Sequence, residues 1–211
     1  MSRLALISFH GCPLESHGNL PSGGMQTYVR YQAKELSQLG LPVDIYTPCH
    51  GTSVAEISDM HPLVRLVHVP AVSAISAAKQ TLSPGAVFAS NIEDFRTNHG
   101  ISYSLIHSHY WSSGIVGMKL SSIWKVPHVT TFHTLGQTKL RTSSLAPDIN
   151  KRIQAESKVA VSADVIVASS KDELSLLACL SKSLTKKIHV IPPGVDTKIF
   201  MPKPEDKILP K

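Results

Sequence analysis

A chain of 211 residues, 42% hydrophobic and 17% charged, can bury about 70% of its unfolded surface in one substantial core, which excludes a disordered or fibrous protein. Its net charge of +6 is scattered, densest at Lys182, Lys186 and Lys187; it reads as a solvated basic face, with anionic substrates or an acidic membrane surface as the other options and no nucleic-acid partner expected. Cys12, Cys49 and Cys179 form no C-x-x-C pair, the apolar run Leu4 to Ile7 is too short for a signal sequence, and no stretch approaches the roughly 18 apolar residues of a membrane span, so a reducing, cytoplasmic location without an integral membrane segment is expected.

In chain order, a first strand is predicted at Leu4 to Phe9, followed by an irregular stretch that closes on Gly23 and Gly24. A helix comes next. Met25, Val29, Ala33, Leu36 and Leu39 recur at three or four residues and make one apolar stripe, and Gly40 ends the helix where a left-handed residue is wanted. Further strands are predicted at Val43 to Thr47, Val64 to Val69, Ser104 to His109, His128 to Phe132, Asp164 to Ser169 and Lys187 to Pro192, with helices between them. A helix opening at Ser170 carries the S-x-x-E capping box with Glu173. This alternation predicts a doubly wound parallel sheet wrapped by helices. After the Pro192-Pro193-Gly194 turn the composition changes to proline and lysine, so residues 1–200 are read as one domain and 201–211 as the start of a linker.

Glycines between a first strand and a first helix let a backbone approach a phosphate, because the helix N-terminus offers unpaired N–H groups and about half a positive charge. Asp44 lies 20 residues after Gly24, as a ribose-binding acid does in dinucleotide sites. That alternative fails on the rest of the pattern: the loop from His10 is too long, there is no G-x-G-x-x-G, and Asp44 falls inside its strand. His107 and His109 alternate at a strand end and project to one face. With His128 or His133 they make a candidate metal set, set aside because no acidic residue lies nearby in sequence; His107 is read as a hydrogen-bonded core residue.

The blocks "SGGMQTYVRYQAKELSQLGLPVDIYT", "HSHYWSSGIVGMKLSSIWKVPHVTTFHTLGQTK", "KRIQAESKVAVSADVIVASS" and "VIPPGVDTKIF" together resemble glycosyltransferase family 4, the retaining enzymes of GT-B fold. Within it the chain is most similar to the branch of sucrose-phosphate synthases and inositol-phosphate glycosyltransferases of mycothiol synthesis. The resemblance implies a Rossmann-like N-terminal domain that binds the acceptor, facing a donor-binding C-terminal domain that would lie beyond Lys211. It implies transfer of a hexose from a nucleotide-sugar, a substrate and not a cofactor, to a phosphorylated sugar or polyol, with no cofactor and no metal in this domain. A stand-alone sugar-phosphate-binding module without transfer activity is the alternative.

The same resemblance implies roles for particular residues. Gly23 and Gly24 would meet the donor diphosphate, and His133 in "FHTLG" would stand beside the donor sugar and the reacting centre. Gln26, Tyr110 and Thr134 would contact the acceptor, and Lys79 and Arg152 would bind its phosphate. Read without the family, Lys79 and Arg152 are exposed basic side chains. The chain departs from the branch in two places: Gln26 and then Thr27 follow the glycines and methionine where asparagine is usual, and Cys12 stands where aspartate is.

Overall fold

The computed structural model describes residues 2–14, 23–48, 56–71, 83–138 and 148–201. Lys79, Cys49 and residues 202–211 fall outside them. In chain order the elements are β1 (Arg3–Ile7), α1 (Gly24–Gln38), β2 (Val43–Pro48), β3 (Ile57–His61), β4 (Val64–Val69), α2 (Pro84–Asn98), β5 (Tyr103–His109), α3 (Trp111–Trp124), β6 (His128–Thr131), α4 (Ile149–Ser162), β7 (Val165–Ala168), α5 (Lys171–Leu180), a 3-10 turn (Lys182–Lys187) and β8 (Ile188–Val190).

The strands form one sheet in the order β3-β4-β2-β1-β5-β6-β7-β8. Every neighbouring pair is parallel except β3 with β4. The doubly wound parallel sheet expected from sequence is present, with the antiparallel β3 added at its edge. Its sequence, ISDMH, is half polar and sits on the sheet edge, so it carries no buried apolar run to read. A tight turn through Leu63, at φ +65°, returns the chain from β3 into β4.

Side-chain alternation along the strands feeds two apolar layers, as a sheet covered on both faces requires. On one face Ala5, Ile7, Tyr46 and Val67 pack with Phe88, Ile92 and Phe95 of α2 and Val116 and Leu120 of α3. On the other, Leu6, Ile45 and Leu66 pack with Val29 and Ala33 of α1. The α1 stripe holds for Met25, Val29, Ala33 and Leu36, but Leu39 at the helix end is 77% exposed. Gly40 adopts φ +78° there, the left-handed stop that its sequence position predicts.

The strand order places a topological switch between β1 and β5. The chain builds outward through β2 and β4 on one side, then returns to β5 and continues outward on the other. The connections after β1 and β5 therefore leave in opposite directions and open a crevice at the carboxyl edge, where open α/β sheets bind ligands. Among the described residues no helix is long and apolar enough to cross a membrane.

Candidate active site

Tyr110 follows β5 directly at the switch crevice. Its backbone is held at φ +77°, which is rare for a bulky side chain, by a hydrogen bond from its N–H to the Thr131 carbonyl. The ring of His10, from the end of β1, lies 4.5 Å from the Tyr110 ring across the crevice. His133, two residues beyond β6, is also left-handed at φ +61°. Backbone strain of this kind costs about 1–3 kcal/mol per residue and persists where surrounding structure holds it, most often at functional sites.

Arg152, on the first turns of α4, ties these two connections together. Its Nη1 donates to the Tyr110 hydroxyl at 3.0 Å, and its Nη2 donates to the Thr134 carbonyl at 2.6 Å and to Thr134 Oγ1 at 3.0 Å. Its Nε donates to Glu156 Oε1 at 2.7 Å, and the guanidinium lies 4.9 Å from the centre of the Tyr110 ring. Arg152 is only 7% exposed, which corrects its family-free reading as an exposed basic side chain. Glu156 in turn accepts the Gly136 N–H at 2.9 and 3.1 Å, so it orients Arg152 and fixes the start of the turn after Thr134.

Behind this strap lies a set of histidines. His107 bonds Gln32 through Nδ1 at 3.1 Å and Thr131 Oγ1 through Nε2 at 2.8 Å, the satisfied core residue its strand position suggests. Its ring stacks on His109 at 4.3 Å, and His109 Nδ1 meets His133 Nε2 at 3.1 Å. Tyr28 of α1 packs edge-on to His133 at 5.1 Å and lies 5.8 Å from His109. Burial pushes His133 down to about 4. Burial, then the neighbouring histidines, pushes His107 down to about 3 and His109 well below the ordinary range, so the cluster is neutral at neutral pH. Among the described residues no group of three or more His, Cys, Asp or Glu side chains is placed to hold a metal ion.

The glycine pair divides its work. A Cβ on Gly23 would lie 2.8 Å from Gln26 Oε1, and one on Gly11 would lie 2.5 Å from Gln26 Nε2. The Gln26 amide is thus lodged between two glycines, and Gly23 is needed to admit it. A Cβ on Gly24 would meet nothing within 4 Å among the described residues. Among the described residues the N-terminus of α1 carries no side-chain cap and no acidic residue in its first turn, and its leading N–H groups lie at the carboxyl edge of the sheet.

Of the residues singled out from sequence, Tyr110, Thr134 and Arg152 are joined by direct bonds, His133 adjoins Thr134, and Gly23, Gly24 and Gln26 lie at the start of α1, whose Tyr28 touches the His133 ring. Asp44 stands apart, fully buried. Burial alone would raise it, but hydrogen bonds from Arg65, Tyr103 and Arg3 hold it below its usual value. Sequence reasoning missed Tyr28 and Glu156, both of which read as ordinary helix residues. It also gave Glu173 only a capping role. Ser170 does cap α5, but the Glu173 carboxylate bonds Ser169 N and Oγ instead of Ser170, and its Oε1 is buried without a partner among the described residues. Burial first, and then the Glu173 charge, raise the Tyr28 hydroxyl.

Residues 22–199 match the family Glycosyltransferase Family 4. The chain is similar to the D-inositol 3-phosphate glycosyltransferase of Corynebacterium efficiens, 35% identical over 203 residues that cover 95% of this chain and 48% of the relative. The corresponding protein of Corynebacterium kroppenstedtii is 37% identical over 205 residues, 95% of this chain and 45% of the relative. The chain thus spans about half the length of the curated relatives it matches. Among solved structures it is similar to sucrose-phosphate synthase from Thermosynechococcus elongatus, with a TM-score of 0.78 and 25% identity over 96% of this chain and 51% of that one. Anabaena HepE, solved in complex with UDP-glucose, shares the fold at a TM-score of 0.63 and 14% identity, over 98% of this chain and 48% of that one.

Proposed function

The chain belongs to glycosyltransferase family 4, and we propose that it is the N-terminal, acceptor-binding half of a retaining hexosyltransferase. In this reading a nucleotide-sugar is the donor and a phosphorylated sugar or polyol is the acceptor. The observation that carries it is the joining of Tyr110, Thr134 and Arg152 at the switch crevice, with His133 beside them and the open N-terminus of α1 across the same edge. Names of the relatives at 34 to 37% identity, D-inositol 3-phosphate glycosyltransferases, support a phosphorylated polyol as acceptor class.

Transfer from a nucleotide-sugar needs little side-chain catalysis, because a diphosphate leaves once its developing charge is stabilised. The uncapped N–H groups of α1 are suited to that charge, and Gly24 places no side chain in their path. The acceptor hydroxyl attacks from the face the diphosphate leaves, so no enzyme nucleophile is required. His133 orients the sugar at that point. Thr134, exposed at the crevice, offers its hydroxyl to the acceptor phosphate, and Arg152 fixes Thr134 and Tyr110 while lending positive charge, with one Nη1 N–H not engaged by either residue. Lys79 remains the proposed second phosphate contact, outside the described residues. Most donor contacts are assigned to a further domain, in keeping with relatives about twice as long.

The test is transfer by the protein expressed together with any coding sequence that follows, offered nucleotide-hexoses and a panel of inositol phosphates and hexose phosphates. NMR of the product reads the anomeric configuration. A retained configuration and dependence on the acceptor phosphate are expected. Binding of a sugar phosphate with no transfer across the panel would favour the stand-alone binding module, and an inverted product would overturn the mechanism.

A further inference from the structure

His133 presents only one nitrogen to the crevice. Its Nε2 is turned inward onto His109 Nδ1 at 3.1 Å, and its Nδ1 is the ring nitrogen left for a ligand, on a half-buried side chain. Between two neutral imidazoles such a contact has one donor and one acceptor, and the choice decides what His133 offers outward. His109 resolves it. This ring is fully buried, stacked between His107 and the His133 contact, and its second nitrogen, Nε2, has no partner among the described residues.

Two arrangements satisfy the contact. If His133 Nε2–H donated to His109 Nδ1, then His109 would carry its proton on Nε2, and a buried N–H would be left with no acceptor. If His109 Nδ1–H donates to His133 Nε2, the orphan at His109 Nε2 is a bare lone pair. Orphaned buried N–H groups are rarer and costlier than under-satisfied acceptors, so the second arrangement wins. It fixes the proton of His133 on Nδ1.

We propose that His109 is a positioning residue that locks His133 in the Nδ1–H tautomer, so that the crevice presents a hydrogen-bond donor and not a base. The ligand group that fits is an acceptor lone pair on a sugar hydroxyl or ring oxygen; His133 holds that oxygen and takes no proton from it. Three further contacts keep the geometry. The left-handed backbone of His133 aims the ring inward, Tyr28 closes on it edge-on at 5.1 Å, and His107, anchored by Gln32 and Thr131, supports the far face of His109. This rests on the reading of His133 as a sugar-contacting residue, but the tautomer itself does not.

The experiment separates the two. Two-bond proton–nitrogen correlation spectra of the 211-residue chain at neutral pH report which ring nitrogen of each histidine carries hydrogen. Protonated Nδ1 with bare Nε2 is expected for both His133 and His109. His109→Asn places an amide N–H near the position of Nδ1 and is expected to keep His133 in the same state, whereas His109→Leu, which removes the donor, is expected to release it into a mixture. Should His109→Leu fail to fold, the wild-type spectrum and the Asn variant still decide. Wild-type His133 protonated at Nε2, or a His133 state unchanged in folded His109→Leu, overturns the proposal. If the tautomers are as stated but His133→Ala leaves turnover of the complete enzyme intact, the site reading fails and the lock stands.

Discussion

Arg152 and Glu156 lie one helical turn apart on α4 and are buried together, 7% and 2% exposed, with Nε and Oε1 2.7 Å apart. A buried ion pair is tolerated when its remaining polar atoms are bonded, and here they are: the guanidinium reaches Tyr110 and Thr134, and the carboxylate takes the Gly136 N–H. The pair therefore joins α4 to the connections after β5 and β6, which places the proposed acceptor contacts on a rigid element.

Removing one partner of such a pair is strongly destabilising, since the other charge stays buried alone. Arg152→Ala is expected to cost about 3–5 kcal/mol, read as a large drop in Tm. Adding Glu156→Gln to it should recover part of the loss, because the stranded charge disappears. A single Arg152→Ala variant as stable as wild type would show that the strap is not held in solution.

The histidines make stability depend on pH above the range where carboxylates titrate. His107, at about 3, and His128 and His133, at about 4, are lowered chiefly by burial, as is His109. Unfolded, each binds a proton near 6.5. The unfolded state thus binds more protons below that point, and the stability is fully present above about pH 6.5 and drains as pH falls toward 4. Tm measured from pH 7.5 to 4.5 should fall steadily at constant salt. A flat profile down to pH 5 would mean the histidines are hydrated or already charged.

Much of this architecture is legible in the sequence because short runs of apolar and β-branched residues alternate with helical stretches, and such runs mark seven of the eight described strands. The eighth, β3, is an edge strand with one half-solvated face, so its residues carry no periodic signal. Within the site, Tyr110, His133 and Thr134 are readable because they follow strand ends. Arg152 is readable as a residue and not as an environment: nothing local in "NKRIQAE" says that the helix turns this side chain inward, since its burial is set by Tyr110 and Thr134, 42 and 18 residues away. Tyr28 escapes notice for the same reason.

The two glycines should respond differently to a methyl group. Gly24→Ala meets nothing within 4 Å among the described residues, so the fold should be unchanged, while the methyl adds bulk at the helix start proposed to meet the diphosphate. KM for the nucleotide-sugar in the complete enzyme is expected to rise about tenfold, as for a weakened charge-assisted hydrogen bond. Gly23→Ala instead collides with Gln26 Oε1 and should disturb acceptor binding more than donor binding. Steady-state kinetics with each substrate varied reads both; equal effects on both substrates would remove the division of labour between them.

His133→Ala in the complete enzyme is expected to lower kcat by at least tenfold while lowering Tm by only a few degrees, since the ring is half-buried and among the described residues its one hydrogen bond is to His109. A large Tm loss with turnover preserved among folded molecules would make it a structural histidine.

In the proposed reading, the 211-residue chain alone isolates the acceptor half. With the donor's base, ribose and most phosphate contacts assigned elsewhere, it should show no measurable transfer. The acceptor contacts are local, however, so a phosphorylated polyol should still bind on the order of millimolar, as expected for a site closed on one side. Arg152 is a poor probe of that binding because its removal undermines the fold. Thr134 is a better one: it is exposed, and its bond from Arg152 through the backbone carbonyl survives loss of the hydroxyl. A hydrogen bond to a charged phosphate is worth about 1.5–3 kcal/mol, so Thr134→Val should weaken binding roughly tenfold or more. Titration of inositol phosphates followed by NMR measures it, with shifts expected at Tyr110 and Thr134. Binding indifferent to Thr134, or equal affinity for the unphosphorylated polyol, would move the phosphate site elsewhere on the sheet edge.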